Sequence, residues 1–181
     1  MTGTDETAVE PYRIAVVCLG NICRSPTAEV VLADRVARAG LGDHVVVDSA
    51  GTGRWELGNP IDSRAEAELV AARYDVPTRS AQQFTRSWFA DHDLVLAMDA
   101  ANYADLEEML PDVSASTRLR MFRSFDPQAT QGDDEVVDPW YGGRSGFVTA
   151  LEMIERTAEA IVGELPGLIA QRDAQGDSPR D

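Results

Sequence analysis

The stretch Ile14-Ala-Val-Val-Cys-Leu-Gly-Asn-Ile-Cys-Arg-Ser-Pro-Thr-Ala-Glu29 decides how the chain is read. A short apolar, β-branched run stops at Cys18, and a helical pattern opens eight residues later at Pro26, so the order is strand, loop, helix. Pro26 suits a first helical residue, because its fixed φ is already helical and the N–H it lacks would have no partner there. Between the two elements lie Leu19, Gly20, Asn21, Ile22, Cys23, Arg24 and Ser25. A loop of this shape turns successive backbone N–H groups inward and closes on a helix N-terminus. The result is a concave site for a tetrahedral anion such as phosphate.

The residue types in the loop add chemistry to that shape. Cys18 sits where backbone dipoles and the Arg24 guanidinium stabilise negative charge on its sulfur, and a sulfur anion below a phosphoryl group is a nucleophile. The Cys-x5-Arg spacing brings the arginine fork round to face the anion, where it can hold two equatorial oxygens. Ser25 can donate its hydroxyl to the sulfur, and Asn21 suits a left-handed backbone position from which it ties the loop together. Taken singly, a cysteine after a strand is usually a small buried hydrophobe. Taken together, these residues serve no packing purpose and point to a catalytic anion loop. No Gly-Lys-Ser/Thr follows, which excludes a Walker A nucleotide site.

Outward from this loop, strands are predicted at 13–17, 45–48, 94–97 and 118–121, with helices between them. One helix runs from Pro26 to a stop at Gly40. A second opens on the capping box Ser63-Arg-Ala-Glu66, with Ala67, Val70 and Ala71 on its inner stripe. A third, capped by Asp99, runs to Leu110, and a fourth starts near Ser145, where Pro166 and Gly167 kink or end it. Strands alternating with helices predict an α/β fold: a doubly wound, four-stranded parallel sheet flanked by helices on both faces, with the phosphate-binding loop after the first strand. Residues 123–146 are too long and irregular for an ordinary connection and are therefore expected to carry function.

With 181 residues and 44 % hydrophobic content, the chain suits one domain, placed at 11–170 between a disordered extension, 1–10, and a disordered tail, 171–181. No apolar run approaches the ~20 residues of a membrane span, and the polar N-terminus is no signal peptide, so a cytoplasmic protein is expected. The only cysteines, Cys18 and Cys23, share one loop and cannot be a disulfide framework. His44 and His92 read as solvated residues, and Asp133-Asp134 as a solvated loop, so neither a metal nor a cofactor is expected. The net charge of −15 argues against nucleic acid as a partner. It also sets a puzzle, because an acidic protein repels phosphate at long range.

Val17-Cys-Leu-Gly-Asn-Ile-Cys-Arg-Ser-Pro-Thr-Ala-Glu29 closely resembles the active-site loop of the low-molecular-weight protein tyrosine phosphatases. Asp138-Pro-Trp-Tyr-Gly142 resembles that family's Asp-Pro-aromatic-Tyr loop, and Asp48-Ser-Ala-Gly-Thr52 and Leu94-Val-Leu-Ala-Met-Asp99 are similar to further family segments, so the resemblance covers about 12–169. It implies Cys18 as nucleophile, Arg24 as phosphate clamp and Asp138 as general acid, with loop residues 19–23 and Ser25 binding the phosphoryl group. Trp140 and Tyr141 would line the cleft mouth, while Ser49 would pair with the loop asparagine. Trp55, in a loop flanked by glycine and proline, is either a core plug or a wall that stacks on a flat substrate ring. Ile22 stands where the family's arginine phosphatases carry threonine, which favours phosphotyrosine. Arg79 stands where the family usually has a bracing histidine, and would either take over the brace or face solvent. Cys23 is either a core filler or the thiol that closes a disulfide on an oxidised Cys18.

The expected protein is a monomer that acts on a phosphotyrosine-containing protein and is inhibited by inorganic phosphate or vanadate, with no cofactor, metal, nucleic acid or membrane. Two alternatives remain open at this point. An arsenate reductase of the same fold would need further cysteines for its relay. A phosphopeptide-binding module would trap its ligand without turnover.

Overall fold

A computed structural model describes residues 10–176. Strand β1 (Tyr12–Cys18) is buried along its length apart from Arg13, as its β-branched run requires of a central strand. It lies between β2 (Val45–Gly51) and β3 (Leu94–Ala97), and β4 (Leu119–Met121) closes the far edge, giving the order β2-β1-β3-β4 with every pair parallel. The period of two divides β1 between two cores. Ile14 and Val16 pack under α1 (Arg24–Arg38), α2 (Ser63–Ala71) and α5 (Arg144–Gly176), whereas Ala15 and Val17 meet Phe84, Phe89 of α3 (Trp88–Asp91) and Leu106 of α4 (Ala100–Glu108). This is the expected doubly wound α/β sheet.

The connection from β1 leads to β2 on one side, while β3 lies on the other. A crevice therefore opens at the carboxyl end of β1, the usual ligand position in such sheets. Cys18 ends β1, Ser49 lies near the end of β2, and Asp99 follows β3, so all three converge there.

Several local expectations are corrected. Helix α1 starts at Arg24, which makes Pro26 its third residue; the first-turn N–H groups are unpartnered in any helix, so proline is tolerated there equally well. Asp62, not Ser63, caps α2 by accepting from the Arg64 N–H. In α2 it is Ala65 and Leu69 that face the core, while the expected inner residues Ala67, Val70 and Ala71 are exposed. His92 is buried, with Nε2 2.9 Å from Asp48, Nδ1 3.0 Å from the Trp88 carbonyl and its ring stacked on Trp88. Its hydrogen bond holds the Asp48 carboxyl below the usual range.

Helix α5 passes through Pro166 without ending and continues over 171–176, which were expected to belong to a disordered tail. Its inward stripe of Phe147, Leu151, Ile154, Ala158, Ile161 and Leu165 is buried as expected, and that packing outweighs the one N–H that proline lacks. The rest of the expected extension and tail, 1–9 and 177–181, lies outside the described residues. No helix among the described residues is long and apolar enough to cross a membrane.

Candidate active site

The loop after β1 is shaped from behind. The Cys18 carbonyl accepts from the Thr52 N–H, Leu19 from Gly53, Ile22 from Asp62 and Cys23 from Thr27, while the Asn21 carbonyl accepts from Arg79 Nη1 at 3.3 Å. In a planar trans peptide the N–H points opposite to the C=O. With those carbonyls engaged outward, the N–H groups of Leu19, Gly20, Ile22, Cys23 and Arg24 face the concave side. Close backing of the loop by β2 requires glycine at position 51, where a Cβ would lie 2.6 Å from the Leu19 carbonyl oxygen.

Asn21 occupies the left-handed region at φ 55°, as expected of it, and is fully buried. Its amide orientation follows from its neighbours. Arg79 Nη2 and the Gln82 N–H can only donate, and both reach Asn21 Oδ1, at 2.9 and 3.0 Å. Asn21 Nδ2 therefore faces the two serines, donating to Ser25 Oγ at 2.8 Å and Ser49 Oγ at 2.9 Å. Each hydroxyl keeps its own hydrogen. Ser25 Oγ lies 3.0 Å from Cys18 Sγ and 3.3 Å from the Ala50 carbonyl, so its hydrogen is shared between the sulfur and that oxygen, and Ser49 donates to Glu29, while Arg79 Nη2 also reaches Ser49 Oγ at 2.8 Å. Arg79 thus takes the bracing position rather than the solvent-facing one.

Arg79 Nε lies 3.4 Å from Glu29, which leaves the brace balanced in charge. Burial pushes the Glu29 carboxyl up, against the hydrogen bond from Ser49 and the charge of Arg79. Glu29 lies five residues after Arg24 on α1, so the helix that carries the arginine of the loop also carries the carboxylate beside the brace.

Arg24 is 4 % exposed and emerges from the first turn of α1 with its guanidinium already oriented. Nη1 donates to Asp99 at 2.6 Å and to the Val136 carbonyl at 3.2 Å, and Nη2 reaches Asp138 at 3.3 Å. Burial works against the charge of Arg24, but the Cys18 sulfur, Asp99 and Asp138 outweigh it and hold the guanidinium above its ordinary value. Asp138 stands at the rim with Oδ1 accepting from the Trp140 N–H. Its segment is pinned by Val136 N–H to Met98 O at 2.8 Å and by Arg123 Nη1 to Glu135 O at 2.8 Å. Arg123 is anchored in turn by Asp126, which Arg156 of α5 also grips, and these pairs hold the Asp126 carboxyl far below its usual range.

At the mouth, Trp140 is half exposed with Arg64 5.2 Å over its ring, Tyr141 is 93 % exposed and Trp55 is 78 % exposed. Leu19 is also exposed and Ile22 is half-buried. Cys23 is a buried free thiol beside Ala65, Phe147 and Leu151; burial, then Asp62 and Cys18, push it up to about 12, as suits a core-facing filler.

An anion cradle, a sulfur at its base, an arginine and a carboxyl at its rim thus come from one strand end, one helix start and one anchored loop. A model of the family described as low molecular weight phosphotyrosine protein phosphatase matches residues 13–169. The chain belongs to this family.

Among relatives of this phosphatase family member, the low molecular weight protein-tyrosine-phosphatase of Streptomyces coelicolor is 44 % identical over 163 residues, covering 90 % of this chain and 99 % of the relative. Low molecular weight protein-tyrosine phosphatase A of Mycobacterium bovis is 42 % identical, covering 88 % and 90 %. The solved protein tyrosine phosphatase of Entamoeba histolytica, with Hepes in its active site, superposes with a TM-score of 0.81 at 31 % identity, covering 86 % of this chain and 97 % of that one. Wzb of Vibrio vulnificus, solved in complex with benzylphosphonate, gives 0.72 at 29 %, covering 84 % and 98 %.

Sequence reasoning missed three participants of this phosphatase fold. Asp99 reads from sequence as a helix cap, and it is one, but only Oδ1 caps Asn102 while Oδ2 holds Arg24. Its place just after the strand beside β1 was the available signal. Glu29 and Gln82 give no comparable signal, because their roles exist only once α1 and the segment after α2 meet behind the loop.

Proposed function

We propose that this protein hydrolyses phosphotyrosine in proteins through a phosphocysteine intermediate. The observation that carries the reading is Cys18 Sγ, 3.0 Å from the Ser25 hydroxyl, at the base of a loop whose arginine and rim carboxylate sit side by side. Cys18 Sγ attacks phosphorus as the bond to the tyrosine oxygen breaks, and Asp138 gives its proton to the departing phenolate. Water then attacks the phosphocysteine, Asp138 takes the water's proton, and the sulfur leaves toward the Ser25 hydroxyl. The inward N–H groups and Arg24 stabilise the charge on the equatorial oxygens in both steps.

Benzylphosphonate, bound in the Vibrio vulnificus relative, is a phosphoryl-like group on an aromatic ring, which supports an aromatic phosphoester as substrate. Trp55, Trp140 and Tyr141 supply ring contacts, and Ile22 packs where the substrate ring descends. Inorganic phosphate and vanadate occupy the same cradle as inhibitors. The working unit is a cytoplasmic monomer, where a reducing milieu keeps Cys18 available, and its catalytic domain is 11–170 together with the end of α5. Arsenate reduction by relay lacks its further cysteines.

Cys18→Ser tests the reading with phenyl phosphate as substrate. Turnover falls at least ~10³-fold, the loss typical of a catalytic unit, while vanadate still binds because the cradle is backbone and Arg24. Retained turnover overturns the nucleophile assignment.

A further inference from the structure

Beside the anion loop, and outside the cradle, lies a groove of about 320 Å³ lined by Leu19, Thr52, Trp55, Asp105, Glu108 and Met109. It shares Leu19 with the loop and so adjoins the cradle. One wall is aromatic: Trp55 is 78 % exposed, and its ring edge packs over Gly53, where no Cβ intervenes. The opposite wall is α4, whose Asp105 and Glu108, three residues apart, share a face with Met109. Asp105 is fixed by the Thr52 hydroxyl at 2.9 Å, and Thr52 in turn is tied to the Cys18 carbonyl. Among the described residues, no ion pair uses either carboxylate.

We infer that this groove is a specificity subsite for a basic residue of the substrate, an arginine or lysine close in sequence to the phosphotyrosine. The inference rests on the phosphatase reading. A guanidinium or ammonium on an apolar stem fits the place on three counts. Its stem lies along Leu19 and Met109, its charge meets Glu108 and the free side of Asp105, and its cation can stack on the Trp55 face. The same arrangement answers the problem posed by a net charge of −15. A substrate whose phosphoryl group is flanked by positive charge is attracted where a bare anion is repelled, and complementary charge acts mainly on encounter and selection.

The test compares kcat/KM for phosphotyrosine peptides identical except for arginine, alanine or glutamate at the positions flanking the phosphotyrosine, with phenyl phosphate as a substrate that reaches no groove. The arginine peptide is expected to exceed the glutamate peptide by about tenfold, the order given by one exposed ion pair plus a cation–π contact. Glu108→Lys reverses that preference and leaves phenyl phosphate turnover unchanged. Glu152→Lys, the same charge change on the outer face of α5, leaves the preference in place and so separates a local subsite from the overall field. A preference that Glu108→Lys does not alter, or that Glu152→Lys alters equally, overturns the subsite. Absence of phenyl phosphate turnover by the unsubstituted protein overturns the phosphatase reading instead.

Discussion

Behind the anion loop, Asn21, Ser25 and Ser49 are fully buried, each with its donors and acceptors matched, whereas at the cleft mouth Trp55 and Tyr141 are almost wholly in solvent. The difference follows from what each region has to do. Phosphoryl transfer depends on groups held in place before the substrate arrives, so the floor is locked by a network whose directions are fixed by pure donors. The mouth meets protein surfaces of varied shape. There, exposed rings offer large contact area with few rotatable bonds. Changes on the floor should therefore reach kcat and stability, and changes at the mouth should reach KM.

Asp138 stands on the border between the two regions, and its substitution should have the largest effect of those below. Asp138→Asn removes the proton donor and leaves the Arg24 contact geometrically possible. Phosphotyrosine turnover should fall by about 10²–10⁴-fold, the usual contribution of general acid catalysis. An ester with an activated nitrophenyl leaving group should lose far less, since that group departs without a proton. Equal losses for the two substrates would move the acid to another residue and place Asp138 with the mouth.

The next effect belongs to the floor. Arg79→Ala removes donors to Asn21 and Ser49 and the cation beside Glu29, and should cost about 2 kcal/mol of stability, the scale of hydrogen bonds to a charged group. The loop then loses its fixed direction, and kcat should drop by about tenfold. Burial already raises the Glu29 carboxyl in the folded protein, and loss of Arg79 raises it further. An acid whose folded value is raised binds protons more tightly when folded, so its stability contribution is present at low pH and lost as pH rises. Melting of Arg79→Ala against the unsubstituted protein should therefore show a deficit that widens from the ordinary carboxylate range upward. A variant with unchanged melting and kcat would mean the floor is held by Asn21 and the serines alone.

How much of this was legible in the sequence depends on whether a residue's role is local. The sheet, the loop and the pairing of Cys18 with Arg24 could be read because strand period, helix start and loop spacing all lie within Ile14 to Glu29. Roles that cross the fold were harder. On α2 the predicted stripe of Ala67, Val70 and Ala71 faces solvent and the nearly opposite pair Ala65 and Leu69 is buried, because in a short alanine-rich helix both faces offer small apolar residues and the packing of the neighbouring helices decides between them. The burial of His92 is not legible in its own segment, because its partners, Asp48 and the Trp88 carbonyl, lie on another strand and a four-residue helix. Arg79 was visible only as a departure from a pattern, and its choice between brace and solvent needed Glu29 on α1 to be placed.

The smallest effects should come from the mouth. Tyr141 makes its contribution only when a substrate ring or chain lies against it, because at 93 % exposure it does little for the folded protein. Tyr141→Ala should therefore leave the melting temperature unchanged, keep kcat within about twofold, and raise KM for a phosphotyrosine peptide by about two- to tenfold, the worth of one aromatic contact. Inhibition by inorganic phosphate, which carries no ring, should stay the same, since the cradle of loop N–H groups and Arg24 is untouched. Trp55→Ala should behave alike toward a peptide and likewise leave phosphate inhibition alone. A fall in kcat matching that of Arg79→Ala, or a loss of phosphate inhibition, would show that the rings help to shape the floor, and the division between a locked base and an adaptable rim would not hold.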